Sequence, residues 1–270
     1  MSANIEAVQK LSRDLRAAAK LMGVREARYF VDTYYDLQDY RIAAANQQRK
    51  LLEGQEPSEF IAWLNGQLVV LENQIKAVLD KWSAAQPMGE WSRNIVGIGP
   101  VISSGLIANI DITKAPTVGH IWRFAGLDPT CKWEKGQKRP WNASLKRLCW
   151  LMGESFVKVS GHKDDVYGKL YLERKAYEQK RNDNGDLAAT AAERLKQARQ
   201  KKLDAGLIEL FESGKLPAMA LHERAKRWAV KLFLAHYQEA AYRLHYGTEP
   251  PLPYAIAHLN HSHTIPAPHR

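Results

Sequence analysis

The 270-residue sequence contains little cysteine, since Cys131 and Cys149 are the only two. Two cysteines are too few for a disulfide scaffold or a cysteine-rich zinc site, and such sparse use suits a reducing compartment. The sequence also lacks any run approaching the ~20 apolar residues that a membrane-spanning helix requires. Its first 20 residues alternate charges and contain no apolar core of a signal peptide. We therefore expect a cytoplasmic protein that makes no contact with a membrane.

Acidic residues are in short supply, because 39 Lys and Arg face only 29 Asp and Glu and leave a net charge of +10. Such an excess attracts polyanions over a Debye length of roughly 8 to 10 Å. Hydrophobic residues make up 45% of the chain, so a chain of this length can bury one or two cores. The composition favours a folded protein with a polyanionic partner, DNA in the first place and structured RNA as the alternative.

Apolar residues recur at three- and four-residue steps along most of the chain, which predicts a mostly α fold. The cleanest series predicts a coiled-coil seam. The seam forms either with the preceding helix, folded back as a hairpin, or with a second copy of the chain in a homo-oligomer. A stripe that only packs within its own domain is the further alternative. The seam positions are Ile61, Leu64, Leu68, Leu71, Ile75 and Val78, followed by Trp82.

The predicted organisation has five parts, which differ in charge and in the density of Pro and Gly. They are N-terminal helices over 1–57, a coiled-coil helix and connector over 58–90, a helix-hairpin-helix domain over 91–160, a charged C-terminal helical region over 161–246, and an extended Pro/His-rich tail over 247–270. Residues 83–92, which include Pro87 and Gly89, are predicted to form a short connector that leads into the helix-hairpin-helix.

A Gly-x-Gly-Pro turn occupies residues 97–100, between two short apolar stretches. Glycine takes backbone angles that crowd a residue with a β-carbon, and the start of the following helix leaves several N–H groups without partners. Such groups bind phosphate without a charged side chain. The turn has neither a P-loop lysine nor the glycine spacing of a dinucleotide site, so no cofactor is expected. The pattern predicts a helix-hairpin-helix that holds the nucleic-acid backbone through Gly97, Ile98, Gly99 and Val101, with a plain helix-to-helix turn as the alternative.

A basic, aromatic loop follows at residues 131–141. Interleaved cations and tryptophans suit a surface that contacts phosphates and stacks bases, since charge supplies salt-dependent affinity and rings supply ~1 to 3 kcal/mol per base. The alternative is a solvated turn anchored by its two tryptophans. The candidate contacts are Lys132, Trp133, Lys135, Lys138, Arg139 and Trp141, joined in the next helix by Lys146 and Arg147.

The order of segments 94–110, 116–129 and 131–153 resembles the C-terminal transposase domain of insertion-sequence transposases that use a structured bridge RNA. In that family a helix-hairpin-helix precedes an aromatic helix, a Gly-Leu-x-Pro-like break, a basic loop ending near Arg-x-Trp, and a helix rich in Leu and Arg. Residues 58–82 also resemble the coiled-coil segment in front of that domain. The resemblance implies a DNA-binding protein of a mobile element or phage, connected with DNA recombination.

The N-terminal part departs from that family. Its members carry an RNase-H-like domain with four metal-binding acidic residues, and such a fold requires about a hundred residues of alternating strands and helices. Residues 1–57 are too few, and their periodicity is helical. The family's nucleophilic serine lies in the basic loop, where this sequence has Cys131. A cysteine there either attacks phosphorus, with a reactivity that depends on cations such as Lys132 and Lys135, or is an ordinary loop residue of a protein without catalysis.

Other candidate chemistry is sparse. His258, His261 and His263 have a spacing that could bind zinc or nickel, but no cysteine or carboxylate converges near them in sequence, so we predict no metal site. Ser103 and Ser104 are predicted to be packing residues. The two histidines of the last helix, His222 and His236, are expected to be hydrogen-bonded structural residues.

The sequence thus predicts a transposase-derived, nucleic-acid-binding protein rather than an enzyme. Two alternatives stay open. The first is an active DNA recombinase that uses Cys131 as nucleophile and takes metal from a partner chain. The second is an oligomeric scaffold in which the seam joins copies of the chain and the basic surfaces meet an acidic protein.

Overall fold

A computed structural model describes residues 10–200, 204–251 and 265–268, and all regular structure in these ranges is helical. The mostly α fold class is therefore confirmed. None of the described helices combines the length and the apolar content needed to cross a membrane. The α-helices in the described ranges are α1 (Arg13–Ala18), α2 (Val24–Glu53), α3 (Glu59–Ala84), α4 (Pro87–Arg93), α5 (Pro100–Asn109), α6 (Val118–Phe124), α7 (Ala143–Val159), α8 (Tyr167–Asp183), α9 (Ala188–Gln200), α10 (Ala205–Glu212) and α11 (Ala218–Tyr246).

The chain divides into two compact units. The first contains the described residues up to Asn94 together with Ile98–Ala115 and Arg243–Gly247. The second contains Ile95–Gly97, Pro116–Tyr242 and the described residues from Thr248 onward. The basic loop and nearly all of α11 belong to the second unit.

In the first unit α3 runs back along α2. Trp82, near the end of α3, is fully buried, and its indole N–H donates to the Met22 carbonyl over 2.8 Å. Midway along the pair, Arg41 Nε donates to Glu72 Oε1 over 2.6 Å. A buried indole with a satisfied N–H fixes the pairing of the two helices, because truncating such a side chain typically costs about 3 to 5 kcal/mol.

The apolar seam of α3 is used along part of its length within the chain. Leu68 and Val78 are buried in a unit where α3 packs on α2 and α5, whereas Leu64 is 44% exposed. The seam therefore packs against a helix of the same chain at these positions. A homo-oligomer formed through the seam stays a prediction.

The prediction of an irregular connector over 83–92 is wrong, because residues 87–93 form helix α4. Pro87 is the first residue of that helix, where its missing N–H costs nothing. Gly89 then lets α4 pass closely over the end of α3, since an added Cβ would lie 1.7 Å from the Ser83 carbonyl oxygen. Helix α4 packs on α5 through a buried contact of 2.7 Å between the Ser92 and Ser103 hydroxyls.

The predicted packing role of the serines in α5 is confirmed. Ser103 and Ser104 are both fully buried, and the Ser104 hydroxyl donates to the Leu79 carbonyl over 3.1 Å. Each hydroxyl thereby satisfies its own hydrogen bond inside the helical packing.

An aromatic cluster forms the core of the second unit. Phe156 of α7 stacks on Tyr167 of α8 at a centroid distance of 5.0 Å, and Phe233 of α11 contacts both rings. All three side chains are fully buried. At the other end of α7, the Asn142 side chain caps the helix by accepting the Leu145 N–H over 2.8 Å. The core and the cap together fix the direction in which the first turn of α7 presents its side chains.

Helices α9 and α10 form an excursion between α8 and α11 that has a small apolar core of its own, including Ala191, Phe211 and Leu221. At its base the buried Asn182 amide donates to the Leu216 carbonyl over 3.1 Å and accepts the Leu216 N–H over 2.9 Å. One side chain thus joins the two ends of the excursion.

Candidate nucleic-acid interface

The first glycine of the Gly-x-Gly-Pro turn lies in a tight backbone conformation against α7. Gly97 has a φ of 95°, and a Cβ there would lie 3.2 Å from Val159. The Ser155 hydroxyl donates to the Gly97 carbonyl over 2.6 Å, which holds this residue against α7.

Of the residues predicted to contact phosphate at this turn, Ile98 and Val101 are 4% and 5% exposed. Gly99 is exposed and has open space around its Cα, while its carbonyl accepts the Ser103 N–H. The accessible part of the turn is therefore centred on Gly99, and phosphate binding there stays a prediction.

The basic loop is ordered by its own side chains. The Trp133 indole N–H donates to the Gln137 carbonyl over 2.7 Å, and the Arg139 guanidinium lies 5.5 Å from the centre of the Trp133 ring. Gly136 supplies the positive φ of 94° that the turn between them requires. Trp133 remains 39% exposed, and Lys132, Lys135 and Lys138 are exposed as well. The loop thus presents one ring and several cations to solvent.

The second tryptophan of the loop is an anchor. Trp141 packs so closely on Gly126 that a Cβ there would lie 2.9 Å from the indole. The Lys146 ammonium lies 4.0 Å from the centre of the same ring. Because Lys146 covers the ring on one side, Trp141 holds the loop on the helix and is less suited to base stacking than Trp133.

A group of four cations lies beside the loop, and we call Arg139, Lys146, Arg227 and Lys231 the cationic face. Burial lowers the pKa of Lys146, and the nearby charges of Arg227 and Arg139 lower it further. Burial also lowers the pKa of Lys231, with Asp128 opposing the shift and Arg227 adding to it. Arginines whose charges lower the pKa of a neighbouring lysine lie close to that lysine.

Sequence reasoning missed the two members of this face that lie on α11, because they are interspersed with apolar residues such as Trp228, Val230 and Leu232. The spacing of Arg227 and Lys231, four residues apart, was the available signal. In the structure the Lys231 ammonium lies 4.0 Å from the centre of the Trp122 ring. The backbone carbonyl of Lys231 accepts the Trp122 indole N–H over 3.1 Å. Trp122 thus fixes α6 against α11 next to the face.

Some cations elsewhere in the second unit have carboxylate partners, such as Arg174 and Arg224, which both pair with Glu178. Within the part of the chain that the structure describes, no member of the cationic face forms an ion pair with a carboxylate. Asp128, which acts on Lys231 electrostatically, accepts hydrogen bonds from the Thr130 N–H and hydroxyl, and these bonds lower its pKa. The face therefore has positive charge that the described chain does not neutralise by direct pairing.

The candidate nucleophile lies at the edge of this face. Cys131 is half-buried, follows a turn in which its N–H donates to the Asp128 carbonyl, and interacts electrostatically with Lys146. The other cysteine, Cys149, is buried, and its pKa is raised to about 12, so it is not a nucleophile at neutral pH. Arg147, the remaining residue predicted to contact nucleic acid, lies at the exposed surface of α7.

A second titratable cluster joins α7 to α11, and sequence reasoning missed it. Glu154, His222 and Glu223 bring three potential metal ligands within 4.8 Å of one another. The buried Lys226 ammonium donates to both carboxylates of this cluster. Burial acts to lower the pKa of Lys226, but the two carboxylates outweigh it and raise the pKa. Lys226 therefore already supplies the positive charge that these carboxylates need.

Both histidines of α11 are hydrogen-bonded structural residues, as expected. His222 Nδ1 pairs with the Tyr171 hydroxyl over 2.7 Å, and His236 Nδ1 pairs with the Tyr167 hydroxyl over 2.7 Å. His236 Nε2 lies 2.8 Å from the Ile265 carbonyl, so it carries the proton and ties this short described piece of the tail to α11. His258, His261 and His263 lie outside the described residues.

Comparisons of the chain with protein-family models, with curated proteins and with solved structures found no match.

Proposed function

We propose that this chain binds nucleic acid through its phosphate backbone, using the cationic face together with the exposed basic loop at residues 132–139. The observation that carries the proposal is the set of four neighbouring cations that have no ion pair within the described chain. A polyanion would supply the missing negative charge.

The number of phosphates that such a face neutralises can be measured from the salt dependence of binding, because each contact releases counter-ions. Each phosphate that a cation neutralises on duplex DNA contributes about 0.9 to the slope of log affinity against log salt. Four contacts would therefore contribute about 3.6, before the loop lysines are counted. The resulting affinity is tolerant of sequence, because phosphate contacts position a protein without reading bases.

The family resemblance supports the same proposal from a different direction. The segments that carry it include the basic loop and the first part of α7, where Arg139 and Lys146 lie. We propose that the chain derives from the DNA-binding domain of a mobile-element transposase and retains binding without catalysis.

The test is a titration of the full chain against labelled duplex DNA, single-stranded DNA and RNA of one length, at two salt concentrations. Fluorescence anisotropy of the label measures binding. We expect micromolar or tighter binding that weakens steeply with salt. A Lys132→Gln, Lys135→Gln and Lys138→Gln variant should lose affinity for all sequences alike. Absence of binding to all three nucleic acids at low salt would refute the proposal.

The recombinase alternative is tested on the same samples. Cys131→Ala should leave binding unchanged, because removal of a thiol leaves the phosphate contacts intact. A covalent protein–DNA adduct on denaturing gels that disappears in Cys131→Ala would instead favour catalysis.

A further inference from the structure

Three arginines surround one buried carboxylate on the surface formed by α8 and α11, and we call them the arginine cluster. Glu178 is 1% exposed, and its Oε1 accepts from Arg174 Nε over 2.9 Å. Its Oε2 accepts from Arg224 Nε over 3.0 Å and lies 3.6 Å from Arg181 Nη1. The hydrogen bonds and charges of Arg224 and Arg174 outweigh the effect of burial and lower the pKa of Glu178, so the carboxylate is charged at neutral pH.

The cluster has more positive charge and more donors than Glu178 uses. Each guanidinium carries five N–H donors in a planar fork. Arg224 gives Glu178 only its Nε–H, and its two terminal nitrogens have no hydrogen-bond partner among the described residues. Asp186, at 3.6 Å from Arg181 Nε, is the other carboxylate in reach, and its side chain is 49% exposed. Three cations thus face two carboxylates, and unused guanidinium donors remain at the surface.

Aromatic rings lie within this cluster. The Arg174 guanidinium lies 4.8 Å from the centre of the Tyr177 ring and 5.3 Å from that of Trp228. Arg181 lies 5.8 Å from the same Tyr177 ring, which is 52% exposed. Guanidinium donors can bind a phosphate, and a half-exposed ring beside them can stack a base that is not paired in a duplex.

The position of Arg224 connects the cluster with the cationic face. Arg224, Arg227 and Lys231 are spaced by three and four residues, which places them on one side of α11. At a rise of 1.5 Å per residue, Arg224 and Lys231 are about 10 Å apart along the helix. One extended strand can therefore contact both groups of cations.

We infer that the arginine cluster is a second subsite for nucleic acid, in which guanidinium donors bind a phosphate and Tyr177 stacks an unpaired base. The inference rests on the proposed function and specifies the ligand as single-stranded. DNA and RNA strands share this chemistry, so both are used as probes.

The experiment compares Tyr177→Leu and Arg181→Gln with the matched control Lys180→Gln, which removes one positive charge from an exposed position next to Arg181 on α8. Arg174 is left intact because it makes two hydrogen bonds to the buried carboxylate. Urea melts identify any variant that is less stable than the parent. The probes are single-stranded 12-mers of DNA and RNA and a DNA duplex of the same sequence, all in about 0.1 M salt.

Tyr177→Leu should lower single-strand affinity by about fivefold or more and leave duplex affinity within about twofold, because bases inside a duplex are not available for stacking. Arg181→Gln should lower single-strand affinity by about fivefold and the salt slope by about 0.7, while Lys180→Gln stays within about twofold of the parent. If affinity falls for only one of the two single-stranded probes, DNA or RNA, the subsite prefers that nucleic acid.

The inference is overturned if Tyr177→Leu binds single strands as the parent does, or if it weakens single-strand and duplex binding equally. It is also overturned if Arg181→Gln and Lys180→Gln behave alike. The proposed function fails separately, when the unmodified chain binds none of the three probes.

Discussion

Removing the two α11 members of the cationic face should weaken nucleic-acid binding and stabilise the fold at the same time. In Arg227→Gln with Lys231→Gln, two phosphate contacts are lost, so the salt slope on duplex DNA should fall by about 1.8. At about 0.1 M salt a change of that size corresponds to an affinity roughly 60-fold lower.

The expected gain in stability follows mainly from the burial of the Lys231 ammonium. Burial lowers the pKa of Lys231, Asp128 opposes the shift and the charge of Arg227 adds to it, so the folded state holds the Lys231 proton less tightly than the unfolded chain does. Removing both charges removes this cost, and we expect the free energy of unfolding to rise by up to about 1 kcal/mol, the size typical of partly exposed charges.

Anisotropy titrations at several salt concentrations measure the first effect, and urea melts measure the second. A matched control, Arg194→Gln with Lys196→Gln, removes the same charge from exposed positions on α9. If both pairs weaken binding equally, net charge rather than the cationic face determines affinity. If the α11 pair lowers stability and leaves the salt slope unchanged, the reasoning is refuted.

Three further predictions concern Lys226, Gly97 and His236. Lys226→Met should lower the free energy of unfolding in urea by about 1 to 3 kcal/mol, because it leaves two carboxylates without their cation and both are only partly exposed. Gly97→Ala should cost about 1 to 2 kcal/mol in the same assay, since its φ of 95° disfavours a β-carbon, whereas Gly99→Ala should cost less than about 1 kcal/mol. Burial lowers the pKa of His236 from 6.5, so the unfolded chain takes up a proton that the folded chain does not, and stability should fall as pH drops below that value.

Each of these has its own contrary outcome. A Lys226→Met protein as stable as the parent would mean that solvent already neutralises the two carboxylates. Equal costs at Gly97 and Gly99 would show that backbone conformation does not distinguish them. The pH effect should be smaller in His236→Gln than in the parent between about pH 7 and about pH 5, and identical curves would exclude His236 as its source.

Hydrophobic periodicity was sufficient to predict the helical class. Two helix limits also carry an ordinary sequence signal, since α8 ends at Asp183 shortly before Gly185 and α11 begins at Ala218 directly after Pro217. Helix α4 was missed because Pro87 and Gly89 are turn formers in most contexts. Only the close approach of α4 to the Ser83 carbonyl explains the glycine.

The candidate interface was predictable only in its local part. The loop cations lie together in the sequence, so their clustering could be expected. Arg227 and Lys231 are some 90 residues further along the chain, and the arginine cluster combines α8 with α11. Neither grouping has a sequence signature, because tertiary packing brings these helices together. The same packing determines that Trp141 is an anchor while Trp133 stays partly exposed.

The Asn182 amide that pairs with both backbone groups of Leu216 makes the α9–α10 excursion a closed loop with its own base. The apolar core of the excursion contains none of the three rings of the aromatic cluster. We therefore expect the excursion to accept an inserted segment with little effect on the aromatic core. Hydrogen exchange should show it as a separate opening unit, and exchange in step with the α7 core would contradict that modularity.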